Sequence, residues 1–177
     1  MKKAFPIALM VLGLIFVGAG FYTMNRGVNA KDQVKSELIA QDIRIGQRFD
    51  ATGKVVDAAV PAKWAGKQVN SAASAKAQAD IINHHALKAT GGKSYAELAQ
   101  NDPTRTTAFN AAMLRTSLYT SIMAFNVGNL VIGLGLMILV LGVAVGGMGV
   151  ALGALAIPSL AKKVHVDPLV ATPHPSV

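Results

Sequence analysis

Two stretches of this chain contain no charged residue, and the longer one most constrains what it can fold into. The longer stretch runs from Thr116 to Ala161, 46 residues, and the shorter one covers Ala4 to Met24. A helix needs about 20 apolar residues to cross the hydrocarbon core of a bilayer. Both stretches pass that length, so the sequence predicts a mainly α-helical integral membrane protein with N- and C-terminal transmembrane helices.

The length of the second stretch leaves two arrangements open. A continuous helix of that length would measure about 69 Å, against a bilayer core of about 30 Å. Either one helix overhangs the membrane, or the stretch folds back at Gly146–Gly149 and crosses twice. Lys2-Lys3 and Lys162-Lys163 flank the two apolar stretches, and basic flanks favour the cytoplasm. With both termini inside, the number of spans is even, and we expect two spans with an outer overhang.

The resulting domain organisation has four segments. We predict an N-terminal transmembrane anchor at 1–25, a small and mostly helical extracytoplasmic domain at 26–115, a long apolar helix at 116–161, and a disordered cytoplasmic tail at 162–177. The predicted localisation is the cell membrane, as a multi-pass protein with the central domain extracytoplasmic. A cleaved signal peptide is the alternative for the first segment, because Val28-Asn29-Ala30 has the small-x-small pattern of a cleavage site.

Within the central domain, local patterns predict several elements. An alanine-rich helix covers Ser71–Ala89 and ends at Gly91-Gly92, where we expect a positive φ. Ser94 and Glu97 form a capping-box pattern, and Asp102-Pro103 predicts the N-cap and first residue of a helix that continues into the membrane. Ile43 and Ile45 alternate with polar residues, which suggests a short strand that can pair with Gly53–Val56.

The spacing of the glycines is the sharpest pattern in the apolar segments. Seven residues is nearly two helical turns, so glycines seven apart line one stripe of a helix. Membrane helices associate by close backbone approach at small residues, although glycine is common in such helices anyway. We predict helix packing at these positions, within the chain or with a partner, and within the chain we expect Gly20 beside Gly128 and Gly13 beside Gly135. The predicted helix-packing residues are Gly13, Gly20, Gly128, Gly135, Gly142 and Gly149.

Charge and composition limit the function classes. The net charge is +8, but the basic residues are scattered and not interleaved with aromatics, so we expect no nucleic-acid binding and attribute the charge to topology and anionic lipid. There is no cysteine, which excludes disulfides, thiolate metal sites and cysteine nucleophiles.

The sequence offers little chemistry. His84 and His85 are adjacent, so on a helix they point about 100° apart and cannot easily share one ion. Asp80 lies one turn before His84 and can contact it. Gly91-Gly92-Lys93-Ser94 lacks the first glycine of a phosphate loop, since Leu87 stands there. We therefore predict no catalytic, cofactor-binding or metal-binding residues, no cofactor and no enzyme activity.

The expected function is that of a non-enzymatic accessory or structural subunit of a cell-envelope or membrane complex. Its expected partners are the lipid bilayer and other membrane-protein subunits. Two alternatives stay open: a ligand- or metal-binding membrane enzyme that uses His84, and an envelope signalling or stress factor.

Two motifs also resemble a known family. They are the stretch Ile81–Leu98 and the group formed by Asp102-Pro103-x-Arg105, Leu114–Ser121 and Ala124-Phe125. Together they resemble small actinobacterial two-span membrane proteins of unknown function, some of them labelled aromatic ring-opening dioxygenase. The resemblance implies an N-terminal span, a short extracytoplasmic domain and a C-terminal span. The dioxygenase label would imply a metal and a soluble fold, for which this sequence supplies neither a ligand set nor the room.

Overall fold

The structure is a computed structural model that describes residues 4–46, 51–52 and 57–156. This part of the chain is mainly helical, and two of its helices, α1 and α3, are long and apolar enough to cross a membrane. The predicted tail at 162–177 and both flanking lysine pairs lie outside the described residues. The helices are α1 at Ala4–Ala40, α2 at Ala72–Ala89, a 3-10 turn at Tyr95–Glu97 and α3 at Arg105–Ala156.

Both long helices extend beyond the predicted apolar segments. α3 continues through Gly146–Gly149 without a break, so the structure has the single long helix and not the fold-back. α1 continues to Ala40, and Val28-Asn29-Ala30 therefore lies inside a helix. Asp42 follows α1 with a φ of 44°, a left-handed conformation that aspartate tolerates better than most residues. The Gln68 side chain donates to the carbonyl oxygen of Ile39 and so satisfies one of the last carbonyls of α1.

The start of α3 differs from the prediction by a few residues. Asp102 and Pro103 lie before the helix and are not its N-cap and first residue. The Oδ1 atom of Asp102 accepts hydrogen bonds from the backbone N–H of Thr104 at 2.8 Å and from the Thr104 hydroxyl at 2.6 Å. The N–H of Arg105 donates to the Asp102 carbonyl at 3.1 Å. Asp102 thus forms a tight turn ahead of the helix, because its short side chain bonds the backbone two residues on. The helix begins at Arg105.

The chain divides into two compact units, and they differ in charge. The first unit combines Met1–Tyr22 with Gly135–Val177, and the second is Thr23–Leu134. In the described part of the first unit there is no Asp, Glu, Lys or Arg, whereas all such residues of the described chain belong to the second. We call them the uncharged unit and the polar unit.

The core of the polar unit draws on every helix that enters it. α1 contributes Leu38, and α3 contributes Leu118 and Phe125. The remaining members come from α2 and from the loop between α1 and α2: Ile45, Val60, Val69, Ala75, Ala79 and Ile81. A domain this small buries little surface by itself, and here the two long helices supply part of the core.

The predicted strand is present only as an isolated bridge. Arg44 pairs with Gln68 in antiparallel orientation, and the N–H groups of Ile45 and Val69 donate to the carbonyls of Lys67 and Ile43. Ile45 and Val69 are fully buried, so apolar alternation did indicate extended backbone there. The partner predicted for this segment, Gly53–Val56, lies outside the described residues.

The two ends of α2 follow the prediction. Ser71 is the N-cap, and its Oγ accepts from the N–H of Ser74 at 3.2 Å. At the other end Gly91 and Gly92 have φ of 63° and 86°, and the N–H of Gly92 donates to the carbonyl of Leu87 at 2.7 Å. This six-to-one bond is the signature of a Schellman cap, and the prediction of positive φ is confirmed.

Candidate functional site

α1 and α3 approach each other at glycines in the uncharged unit. A Cβ atom added to Gly13 would lie 2.5 Å from Gly146 Cα, and one added to Gly20 would lie 2.7 Å from the Gly135 carbonyl oxygen. A Cβ on Gly142 would lie 2.6 Å from the backbone nitrogen of Val17. As the residue number rises along α1 it falls along α3, so the helices are antiparallel. The backbones are in contact, and no side chain fits at these three glycines.

The contact continues to the start of α1. A Cβ on Gly149 would lie 2.8 Å from the backbone nitrogen of Met10 and from the carbonyl oxygen of Pro6. Gly153 is less crowded, since a Cβ there would meet the Pro6 Cβ at 3.9 Å. We call this line of contacts the glycine seam.

In the polar unit the same two helices meet at Gly27 and Gly128. A Cβ on Gly27 would lie 2.9 Å from the Gly128 carbonyl oxygen, while one on Gly128 would lie 2.5 Å from Cγ of Lys31. Gly128 is therefore a notch for the aliphatic stem of a lysine. Gly27 was absent from the predicted set, although it follows Gly20 by seven residues, because Arg26 beside it ends the apolar stretch.

The structure corrects the predicted register of the helices by one heptad. Gly20 lies beside Gly135 and not Gly128, and Gly13 lies beside Gly142 and not Gly135. Three other glycines lie off the contact, since a Cβ on any of them would meet nothing within 4 Å: Gly18, Gly133 and Gly147.

A cleft of about 870 Å³ lies in the polar unit, between α2, the N-terminal part of α3 and the loop at 57–59. Asp57 and His85 face each other there, with the Asp57 Oδ2 and His85 Nε2 atoms 2.8 Å apart. The other carboxylate oxygen of Asp57 accepts a hydrogen bond from the N–H of Ala59 at 3.0 Å. Sequence reasoning missed this pair because the two residues are 28 positions apart and no local spacing joins them.

The second histidine also lines the cleft. The rings of His84 and His85 have centroids 6.0 Å apart. Asp80, whose position one turn before His84 allows a contact with it, forms an ion pair with Lys76 at 2.8 Å, and this contact raises the pKa of Lys76. Among the described residues no three His, Cys, Asp or Glu side chains come together where they could hold a metal ion.

Ile82, Ala86 and Ala89 of α2 line this cleft, and Ile82 also packs against the core. The core residues of α2 are Ala75, Ala79 and Ile81. Small residues on the cleft side leave open space against α3, which is why the cleft lies there.

No protein-family model, curated protein or solved structure matches this chain. The family resemblance therefore stays a proposal based on two motifs, and some of their residues have clear structural contacts. Arg105 stacks on the Tyr95 ring at 4.2 Å and donates to the carbonyl oxygen of Leu98. The Tyr95 and Phe109 rings also pack, with centroids 5.6 Å apart. These contacts hold the 3-10 turn against the start of α3.

Proposed function

We propose that this chain is a non-enzymatic accessory or structural subunit of a membrane or cell-envelope complex. It is anchored in the membrane by the uncharged unit, and its polar unit is extracytoplasmic. The observation that carries the proposal is an exposed, uncharged and mostly apolar stripe on α3, in the unit that holds the charged part of α1.

The stripe follows a heptad pattern. Its members are spaced four and three residues apart and all are exposed: Phe109, Met113, Thr116, Thr120, Met123, Val127, Leu130 and Leu134. We call this set the α3 stripe. Apolar residues at this spacing form the contact line between packed helices.

Charge on α1 supports a location of most of the α3 stripe outside the hydrocarbon core. Lys31 packs on Gly128, so the α3 residues before Gly128 lie in the polar unit whose α1 segment carries Arg26, Lys31, Asp32, Lys35 and Glu37. Charged residues are rare in the hydrocarbon core. Lipid tails therefore do not cover the stripe from Phe109 to Val127, and large apolar patches exposed to water usually mark protein contacts.

A partner can bury the α3 stripe without leaving the Thr120 hydroxyl unpaired or desolvating a charged side chain. The hydroxyl of Thr120 donates to the carbonyl of Thr116 at 2.9 Å, so it already has a hydrogen-bond partner within the helix. The positions that flank the stripe carry no charge: Asn110, Ala112, Ser117, Tyr119, Ala124, Asn126, Val131 and Gly133. Buried protein interfaces are depleted of charge in the same way. The occupant that fits is an uncharged apolar helix of another subunit.

Site-specific photo-crosslinking tests this function. A photoreactive phenylalanine analogue replaces Met123 or Val127, and a control chain carries it at Ser36, which is exposed on α1. We expect one other protein to crosslink at both stripe positions and not at Ser36. It should co-purify in a fixed ratio in mild detergent and be lost in Met123→Glu.

Three results would contradict the accessory-subunit proposal. These are crosslinks between copies of this chain alone, crosslinks to lipid alone, and crosslinks of equal yield at Ser36. Circular dichroism of Met123→Glu shows whether a lost partner reflects the stripe or an unfolded chain.

A further inference from the structure

The cleft of the polar unit combines an apolar wall with free positive charge. Among the described residues that line it, Asp57 is the only acidic one, and that side chain is 13% exposed with both oxygens hydrogen bonded, one to His85 and one to Ala59. Lys88 and His84 also line the cleft and are exposed. No carboxylate of the described residues pairs with either. The charge available to a molecule entering the cleft is therefore positive.

The rest of the lining suits an apolar body. Ile82 and Ala86 from α2 face Ala111 and Leu114 from α3. The cleft volume of about 870 Å³ lies in the range of small-molecule sites, which are mostly apolar with a few polar groups that orient the ligand.

Asp57 also fixes the orientation of the His85 ring. Because the Asp57 carboxylate lies against Nε2 of His85, that nitrogen donates to Asp57 and is not available to a ligand. Asp57 is in this sense a positioning residue. It binds the loop at 57–59 to α2, and it holds one imidazole at the edge of the cleft.

We infer that this cleft binds a small organic anion, an apolar body that carries a carboxylate or phosphate group. Lys88 and His84 hold the anionic group, and Ile82, Ala86 and Leu114 contact the body. Thr107 and Asn110 also line the cleft and supply neutral hydrogen-bonding groups. No member of the α3 stripe lines the cleft, although Asn110 flanks the stripe and lines the cleft. The two proposals concern different ligands and are tested by different measurements, so either can fail without the other.

Ligand-observed fluorine NMR on the full chain in lipid nanodiscs tests the site. The probes are 4-fluorophenylacetate and 4-fluorophenyl phosphate, with 2-(4-fluorophenyl)ethanol as the neutral control and empty nanodiscs as the background. We expect at least one anion to bind about tenfold more tightly than the alcohol, because charge-assisted hydrogen bonds are the stronger ones.

Matched variants assign the binding to the cleft. Lys88→Gln should weaken the anion about tenfold and leave the alcohol unchanged. Lys35→Gln removes the same charge from an exposed position of α1 and should change neither. Ala86→Phe and, from the α3 side, Asn110→Phe fill the cleft and should abolish binding, with circular dichroism to show that they fold.

The inference is overturned if anions and alcohol bind equally. It is also overturned if neither anion binds above the background, if Lys88→Gln and Lys35→Gln act alike, or if a folded cleft-filling variant still binds the anion.

Discussion

The glycines of this chain serve two different physical purposes. At Gly91 and Gly92 a Cβ would meet nothing within 4 Å, yet both have positive φ, so glycine is required there by backbone conformation. Gly13 and Gly142 lie inside helices, where a Cβ would strike the backbone of the other helix. A residue that tolerates left-handed backbone can replace the first kind. No residue with a Cβ atom can replace the second kind unless the two helices move apart.

The cap glycine gives the first prediction. Gly91→Val should lower the free energy of unfolding of the polar unit by roughly 1–2 kcal/mol or more, because a β-branched residue resists positive φ. Gly91→Asn should lower the free energy of unfolding by less, since asparagine tolerates that conformation. Thermal unfolding of both variants checks this. Equal stability of the valine variant and the native chain would show that the cap does not need glycine.

Glu97 gives a prediction about acid stability. Its carboxylate accepts hydrogen bonds from the Ser94 hydroxyl and the Ser94 N–H, both at 2.7 Å, and these bonds lower the pKa of Glu97 below 4.5. A lowered folded-state pKa stabilises the fold above the unfolded-state pKa, and that stabilisation is lost as the pH falls through the folded-state value. The native chain should therefore lose more stability below about pH 4.5 than Glu97→Gln does. Identical pH profiles for the two chains would refute this role.

At the scale of elements, the glycine repeat indicated which faces of the helices meet but not their register. A pattern with a period of seven residues looks the same after a shift of seven residues, so Gly13 beside Gly135 and Gly13 beside Gly142 are equally good by spacing. Gly27 removes the ambiguity, because the observed register places the three α1 glycines that are seven residues apart, Gly13, Gly20 and Gly27, against α3 glycines. The contact of Lys31 with Gly128 could not be predicted from the apolar pattern, because it involves a charged residue.

An alanine scan separates the seam from ordinary glycine content. Gly13→Ala, Gly20→Ala and Gly142→Ala should each destabilise the helix pair by about 1–3 kcal/mol, since the methyl group forces the backbones apart. Gly18→Ala and Gly147→Ala are the matched controls with open space, and they should be neutral or slightly stabilising. Resistance to unfolding in detergent measures the difference. If the two sets behave alike, the seam carries no packing energy.

A designed disulfide tests the register directly. The Cβ of Pro6 and a Cβ at Gly153 would lie 3.9 Å apart, close to the mean of about 3.8 Å in disulfides. Pro6→Cys with Gly153→Cys should therefore oxidise within one chain, and the native sequence has no cysteine to interfere. Pro6→Cys with Gly146→Cys, one heptad away, is the control and should not. If the pair at 6 and 146 oxidised and the pair at 6 and 153 did not, the register with Gly13 beside Gly135 would be favoured.

For the whole molecule, the sequence predicted most of what depends on local pattern. Apolar length predicted both long helices, the alanine-rich stretch predicted α2, and Gly91-Gly92 predicted its C-terminal cap. It could not predict the Asp57–His85 pair, because that contact depends on how the loop returns to α2. The predicted anchor ends at residue 25, where charged residues begin, while α1 itself continues to Ala40. Charged residues indicate which part of a helix suits water, but they do not by themselves end the helix.

The charge division between the two units gives a final prediction, that of topology. The uncharged unit suits the bilayer, while the polar unit suits water. Lys2-Lys3 and Lys162-Lys163 favour the cytoplasm for both ends of the chain, which leaves the polar unit outside.

Single cysteines test this topology in intact cells treated with a thiol reagent that cannot cross the membrane. The outer reporter is Ala99→Cys, because Ala99 is exposed in the polar unit. We expect label at position 99 in intact cells, and at Ser176→Cys only after the membrane is permeabilised. Label at 176 in intact cells, with or without label at 99, would contradict the proposed orientation, and the same variants in permeabilised cells show that both cysteines can react.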